Sequence, residues 1–183
     1  MKKDLEKVID IPEGIQARID GGFINLKGPL GEDKRKIKLD GIKISFEDKK
    51  IILKKGKANK KDKKLMNSLA SHIANLIKGV QKKYEYVLEI CSVHFPMNVK
   101  AEKDKLVIKN FLGERKEKTI DIMPEIEIEV KGNHVYVRSI NKEKAGLQAS
   151  IIEKISRIVE KDRRVFQDGI WIVKKEKGRH DGN

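Results

Sequence analysis

The chain is written twice, and that constrains its fold more than any other feature. Ile24-Asn25-Leu26-Lys27-Gly28-Pro29-Leu30-Gly31-Glu32 recurs as Leu106-Val107-Ile108-Lys109-Asn110-Phe111-Leu112-Gly113-Glu114, with the apolar positions, the lysine and the closing Leu-Gly-Glu in step. Each copy sits in the same larger order: alternating apolar residues, a hairpin turn, further alternating segments, and one amphipathic helix. A strand-rich module used twice is a scaffold that presents surfaces.

Period-two alternation marks strands with one buried face. In the first copy it appears at Ile15, Ala17 and Ile19, at Ile24 and Leu26, and at Ile42, Ile44 and Phe46, separated by turns at Asp20-Gly21-Gly22, Gly28-Pro29-Leu30-Gly31 and Glu47-Asp48-Lys49. From Asp62 the period lengthens. Leu65, Leu69, Ile73, Leu76 and Val80 fall on one helical face, and Gly79 is the expected terminator. The second copy alternates at Tyr84, Tyr86, Leu88 and Ile90, at Val99 and Ala101, at Leu106 and Ile108, at Ile120 and Ile122, at Ile126, Ile128 and Val130, and at Val135 and Val137. Asn141 is placed to cap a second helix whose stripe is Leu147, Ile151, Ile155, Ile158 and Val159, and Ala149-Ser150 matches Ala70-Ser71 of the first. The expected fold class is α+β: two duplicated domains, each an antiparallel or mixed β-sheet with one main α-helix around a single core. The expected division is 1–80, 81–174 and a basic tail at 175–183, the strand at 169–173 and the tail having no counterpart in the first copy.

Composition narrows the function. A formal net charge of +14 over 183 residues calls for an anionic partner. Aromatic residues make up only 5%, which disfavours stacking on single strands along the chain and favours reading the backbone shape of a folded nucleic acid. With Cys91 the sole cysteine, no internal disulfide or cysteine-based zinc site forms within one chain, and a reducing compartment is expected. The N-terminal residues lack the apolar core of a secretion signal, and no stretch approaches a membrane span, so a cytoplasmic location is expected.

Two basic stretches compete as binding sites. The lysine run at 54–64 reads either as a phosphate-binding loop or as a solvated connection between a strand and a helix, and both readings stand open. The stretch 157–179 holds Arg157, Lys161, Arg163, Arg164, Lys174, Lys175, Lys177 and Arg179. Its arginines bind phosphate through a planar fork that fixes orientation as well as charge, so it is the favoured RNA site. Gly28-Pro29-Leu30-Gly31 has the outline of a backbone-clamping loop, but its alternating flanks make it a hairpin turn.

An enzyme is not expected. Dinucleotide and phosphate-loop glycine patterns are absent, and His72, His94, His134 and His180 lack metal-ligand spacing. Cys91 paired with a histidine is the remaining nucleophile candidate, and a weak one. No cofactor is expected.

The paired Leu30-Gly31-Glu32 and Leu112-Gly113-Glu114, the second helix start at 139–150, and above all Asp162-Arg163-Arg164-Val165-Phe166-Gln167-Asp168-Gly169-Ile170-Trp171 carry a family resemblance. Over its whole length the chain resembles the universal L-six proteins of the large ribosomal subunit, in their archaeal form. The resemblance implies two related α+β domains and binding to large-subunit ribosomal RNA near the sarcin-ricin loop and stalk base, with most contacts from the second domain. Neighbouring ribosomal and stalk proteins, and nearby translation factors, are the implied partners; no membrane partner or homo-oligomer is expected. Carried over residue by residue, the RNA-binding role falls on Arg157, Arg163, Arg164, Lys174, Lys175, Lys177 and Arg179, with Lys142 and Lys144 as weaker candidates. The proline-, tyrosine- and glycine-rich tail usual in bacterial members is missing here. The alternative is a basic adaptor that binds acidic protein partners.

Overall fold

The computed structural model describes residues 3–20, 22–37, 41–47, 49–162 and 164–175. Its contacts divide the chain into two units, Met1–Lys83 and Tyr84–Asn183.

In the first unit, strands β1 (Lys3–Asp10), β2 (Gln16–Asp20), β3 (Phe23–Gly28), β4 (Gly31–Lys36), β5 (Lys43–Glu47) and β6 (Lys50–Ala58) precede helix α1 (Lys60–Gln81). They pair antiparallel into two sheets, ordered β2-β3-β4 and β1-β6-β5. The α1 face made by Met66, Leu69, Ala70, Ile73, Leu76, Ile77 and Val80 is buried, and α1 contacts β3 and β4 of one sheet and β1 and β6 of the other. Ile24 and Leu26, and Ile51 and Leu53, meet it as fully buried side chains.

The second unit repeats the plan with β7 (Tyr84–Cys91), β8 (Asn98–Ala101), β9 (Lys105–Lys109), β10 (Lys118–Asp121), β11 (Glu127–Lys131), β12 (His134–Ser139), α2 (Lys142–Ile155) and β13 (Gly169–Lys174). The sheet β8-β9-β10 is the counterpart of β2-β3-β4, and β11-β12-β7 that of β5-β6-β1; β13 joins the latter along β7 as a fourth strand. The expected α+β fold with an internal duplication is therefore realised, with antiparallel pairing throughout the described residues.

Local expectations are corrected in several places. The first helix neither starts at Asp62 nor stops at Gly79. Asn59 is its N-cap, its side chain accepting from the N–H groups of Lys61 and Asp62 at 2.8 and 3.0 Å while Asp62 accepts from the N–H of Asn59 at 2.8 Å, a reciprocal capping box. Gly79 lies buried within the helix, where a small residue fits the packed face, and the chain turns extended only at Lys82. Replacing Asn59 by alanine should cost about 1 kcal/mol, read as an earlier first-unit melting transition.

The lysine run at 54–64 is not a loop, although most of it is exposed. Residues 54–58 finish β6 and residues 60–64 open α1, with Asn59 alone between them. Lys54 pairs with Glu6 at 3.2 Å and Lys55 with Asp62 at 3.1 Å. The Asn59 N–H, and then Lys55, hold the Asp62 carboxyl below its usual range.

The stripe of the second helix is also different. Asn141 does cap it, accepting from Glu143 and Lys144, but the buried residues are Ala145, Gln148, Ala149 and Ile152. Leu147 is 54% exposed and Val159, beyond the helix, 74% exposed; Ile158 is buried but outside the helix, and Ile151 and Ile155 pack only at the core margin. Small alanines let α2 lie close on β7 and β12, a placement that large apolar side chains would prevent. Gln148 is fully buried because both ends of its amide are used: it accepts from the Met123 N–H and donates to the Asp121 carbonyl, tying α2 to the end of β10.

In the second copy the expected hairpin turn is replaced by a 3-10 turn at Phe111–Gly113, with Asn110, Leu112 and Gly113 all at positive φ. Phe111 is buried there, and Lys118 lies over its ring at 3.7 Å.

Candidate nucleic-acid interface

The closing segment 162–171 builds a loop and pins it. Asp162 starts the turn: its carbonyl accepts from Val165 and Phe166, and its carboxylate takes the Arg164 N–H and guanidinium. Phe166 stacks on His94 with ring centroids 4.7 Å apart, and the Lys161 ammonium approaches the same ring at 4.6 Å. Asp168 is the anchor. Only 2% exposed, it accepts from the N–H groups of Val93 and His94 at 2.8 and 3.0 Å and bonds the His94 ring at 2.6 Å. Trp171 donates its indole N–H to the Gln167 carbonyl. At Gly169, φ is +154°, and a Cβ would sit 3.0 Å from the Trp171 ring and 3.1 Å from the Ser156 carbonyl, so a larger residue would be strained and would push on both.

The same loop is joined to α2 from the other side. Ser156 Oγ accepts from the Ile170 N–H at 2.9 Å, and Glu153 accepts from the Ile172 N–H at 3.1 Å, so helix side chains satisfy donors of β13. The sequence reading missed Asp168, His94 and Ser156 as organising residues. The available signal was a lone aspartate next to a glycine, with its partner loop more than seventy residues away.

Burial is the strongest single influence on Asp168 and opposes ionisation, but the hydrogen bonds from His94 and Val93 together outweigh it and lower its pKa below the ordinary 3.8. A carboxylate with a depressed folded pKa stabilises fully above its unfolded pKa and loses that contribution as pH falls through the folded value. Asp168→Asn should therefore cost about 2 kcal/mol near neutrality, a fall of roughly 10 °C in the second unit's melting temperature. That gap between wild type and variant should begin to narrow below about pH 4 and close only as pH falls through the lower folded value, measured by thermal melts across pH.

The structure does not gather the expected basic residues into one patch. Strand β7 and helix α2 separate two ends. At the end where β7 closes lie Arg157, just past α2, and Lys161 and Arg164 on the loop; the Arg164 side chain is 90% exposed, with Asp162 raising its pKa. At the end where β7 opens lie Lys174 and Lys175, at and just beyond the tip of β13, and Lys142 at the first turn of α2, its ammonium 5.7 Å from the Tyr84 ring centroid. Six residues of strand separate the two ends by roughly 17 Å. Lys144 pairs with Glu125 at 2.7 Å and Lys174 reaches Glu85 at 3.8 Å, whereas Arg157 and Lys175 make no ion pair among the described residues. Arg163, Lys177 and Arg179 lie outside the described residues.

Arg138 went unremarked in the sequence. It bridges Glu85 at 2.7 Å and Glu129 at 2.9 Å across three strands, which spends its charge on the sheet. The Cys91 thiol is pushed up by burial first, and then by Glu89 and Asp168, a poor setting for a nucleophile. Among the described residues no group of three or more His, Cys, Asp or Glu side chains could hold a metal, and no helix is long and apolar enough to cross a membrane.

Two repeats with one topology, closed by this pinned loop, match a known family along most of the chain. The family described as Ribosomal protein L6 aligns twice, at residues 11–83 and 95–169. The chain belongs to the ribosomal protein L6 family. Similar proteins named "Large ribosomal subunit protein uL6" occur in Methanobrevibacter smithii (39% identical over 172 residues, covering 94% of this chain and 97% of that protein), Methanocella arvoryzae (42% over 173, covering 93% and 98%) and Aeropyrum pernix (40% over 179, covering 96% and 98%). The first L6 match ends at Lys83, where the first structural unit ends, and the second ends at Gly169, where β13 begins. The L6 family is structural and non-enzymatic.

Proposed function

We propose that the chain is a structural constituent of the cytoplasmic large ribosomal subunit, binding its ribosomal RNA near the sarcin-ricin loop and stalk base and so supporting the region where translation factors dock. The observation that carries this is identity near 40% over almost the full length to proteins named for the large subunit. The second unit makes most of the contacts, through Arg157, Arg163, Arg164, Lys174, Lys175, Lys177 and Arg179, with Lys142 and Lys144 contributing less. Cations held on a strand tip and a pinned loop meet phosphates at set positions, so binding braces the RNA as well as neutralising it. The neighbours are ribosomal and stalk proteins. Sedimentation of tagged protein with large subunits through a high-salt wash tests the reading. Retention is expected of an integral component, and complete stripping would mark an adaptor instead.

A further inference from the structure

Beside the pinned loop, Cys91, Val93, Phe166, Gln167 and Trp171 line a groove of about 490 Å³, within the range of small-ligand sites. Its flat wall is Trp171, whose indole is fixed by packing over Gly169 and by its hydrogen bond to the Gln167 carbonyl. Val93, 67% exposed, and Phe166 supply the apolar sides. Gln167 uses its amide N–H on the Arg164 carbonyl, which leaves its Oε1 available as an acceptor. Lys161 stands over Phe166 as the cation at the rim, and Arg164, two residues before Phe166, is exposed with its guanidinium on the Asp162 carboxylate, which a phosphate would have to displace. Of the nearby carboxylates, Asp168 is buried and engaged by Val93 and His94, and Glu89 stands opposite Trp171 in the β7–β13 register.

A flat apolar slot with one amide and a cationic rim is complementary to a planar ring carried on a phosphate chain. We infer that this groove holds a single unstacked nucleobase of the bound RNA, stacked on Trp171, with Lys161 and Arg164 on the flanking phosphates. The inference rests on the RNA-binding reading above and adds a base contact to it. The scarcity of aromatic residues is a property of the whole chain; here the fold brings His94, Phe166 and Trp171 to one loop, which suffices for one base.

The chain has one tryptophan, so Trp171 emission reports on this groove alone. Full-length protein is titrated with three labelled RNA hairpins that differ at one position: a bulged adenosine, an abasic bulge, and none. The bulged adenosine should quench Trp171 and bind roughly tenfold tighter than the abasic hairpin. Val93→Glu, which alters an exposed side chain and keeps the backbone N–H that serves Asp168, should erase that preference while the hairpins still bind. Equal binding of all three hairpins with unmoved emission would overturn the base site and leave the RNA reading standing, the groove then being suited to an apolar side chain of a protein partner. A preference that survives in Val93→Glu would place the base elsewhere and equally overturn the inference. Failure of every hairpin to bind at low salt would remove the RNA reading and this site together.

Discussion

Raising salt from about 50 to about 200 mM should weaken binding of the full chain to large-subunit ribosomal RNA by about three orders of magnitude, because each phosphate neutralised releases condensed counterions. The division of the basic residues into two ends makes the test sharper. Arg157→Ala with Arg164→Ala removes cations from the loop end, and Lys174→Ala with Lys175→Ala removes them from the strand tip. None of these side chains is buried, Glu85 keeps Arg138 when Lys174 is lost, and Asp162 keeps the backbone N–H of residue 164 when the guanidinium is lost, so folding should change little. Each double variant should lower the slope of log affinity against log salt by roughly 0.7–0.9 per residue removed. An unchanged slope in one variant would take that pair of cations out of the interface; unchanged slopes in both would remove Arg157, Arg164, Lys174 and Lys175 from it.

The largest expected effect on stability is at Gly28. Placed there, a Cβ would lie 2.8 and 2.9 Å from the Val80 side chain and 2.9 Å from the Val80 carbonyl, too close for ordinary contact. The neighbouring Leu30 N–H donates to that same carbonyl at 3.2 Å, so the turn cannot withdraw without losing a bond to the end of α1. Gly28→Ala should destabilise the first unit by about 3 kcal/mol, lowering its melting temperature by roughly 10–20 °C. Calorimetry that resolves the first unit's transition would check it, and a shift under about 3 °C would mean that turn and helix end separate freely. The second copy has Asn110 at this place, at a φ of 57°, and there both the residue and the turn geometry of the repeat diverge.

Alternation located β2, β3, β5 and most strands of the second unit, and it matches burial most clearly in β3 and β12, where buried and more open residues alternate. It failed on β6, where Ile51, Ile52 and Leu53 are buried in succession; a strand covered on both faces has no period of two to detect. It failed again on β4, Gly-Glu-Asp-Lys-Arg-Lys, a charged edge strand recruited by pairing with β3 rather than by its own pattern. The α2 stripe was misplaced because large apolar residues were counted while the contact surface is made by alanines. At the proposed binding surface, the basic residues of 157–179 were legible as types. Their separation into two ends was not, because β13 carries Lys174 away from Arg164 by its own length.

The sequence alone determined that there are two related α+β units, that the second has an added strand, and that the whole carries a strong positive charge, since repeats, periodicity and charge are properties of residue order. Only the tertiary structure decided which polar residues hold the closing loop. Asp168 finds Val93 and His94, Ser156 finds Ile170, and Trp171 settles over Gly169 through contacts that form when the chain closes on itself. Long-range hydrogen bonds depend on geometry that no local pattern encodes, and here they convert a basic segment into a fixed loop with a groove beside it.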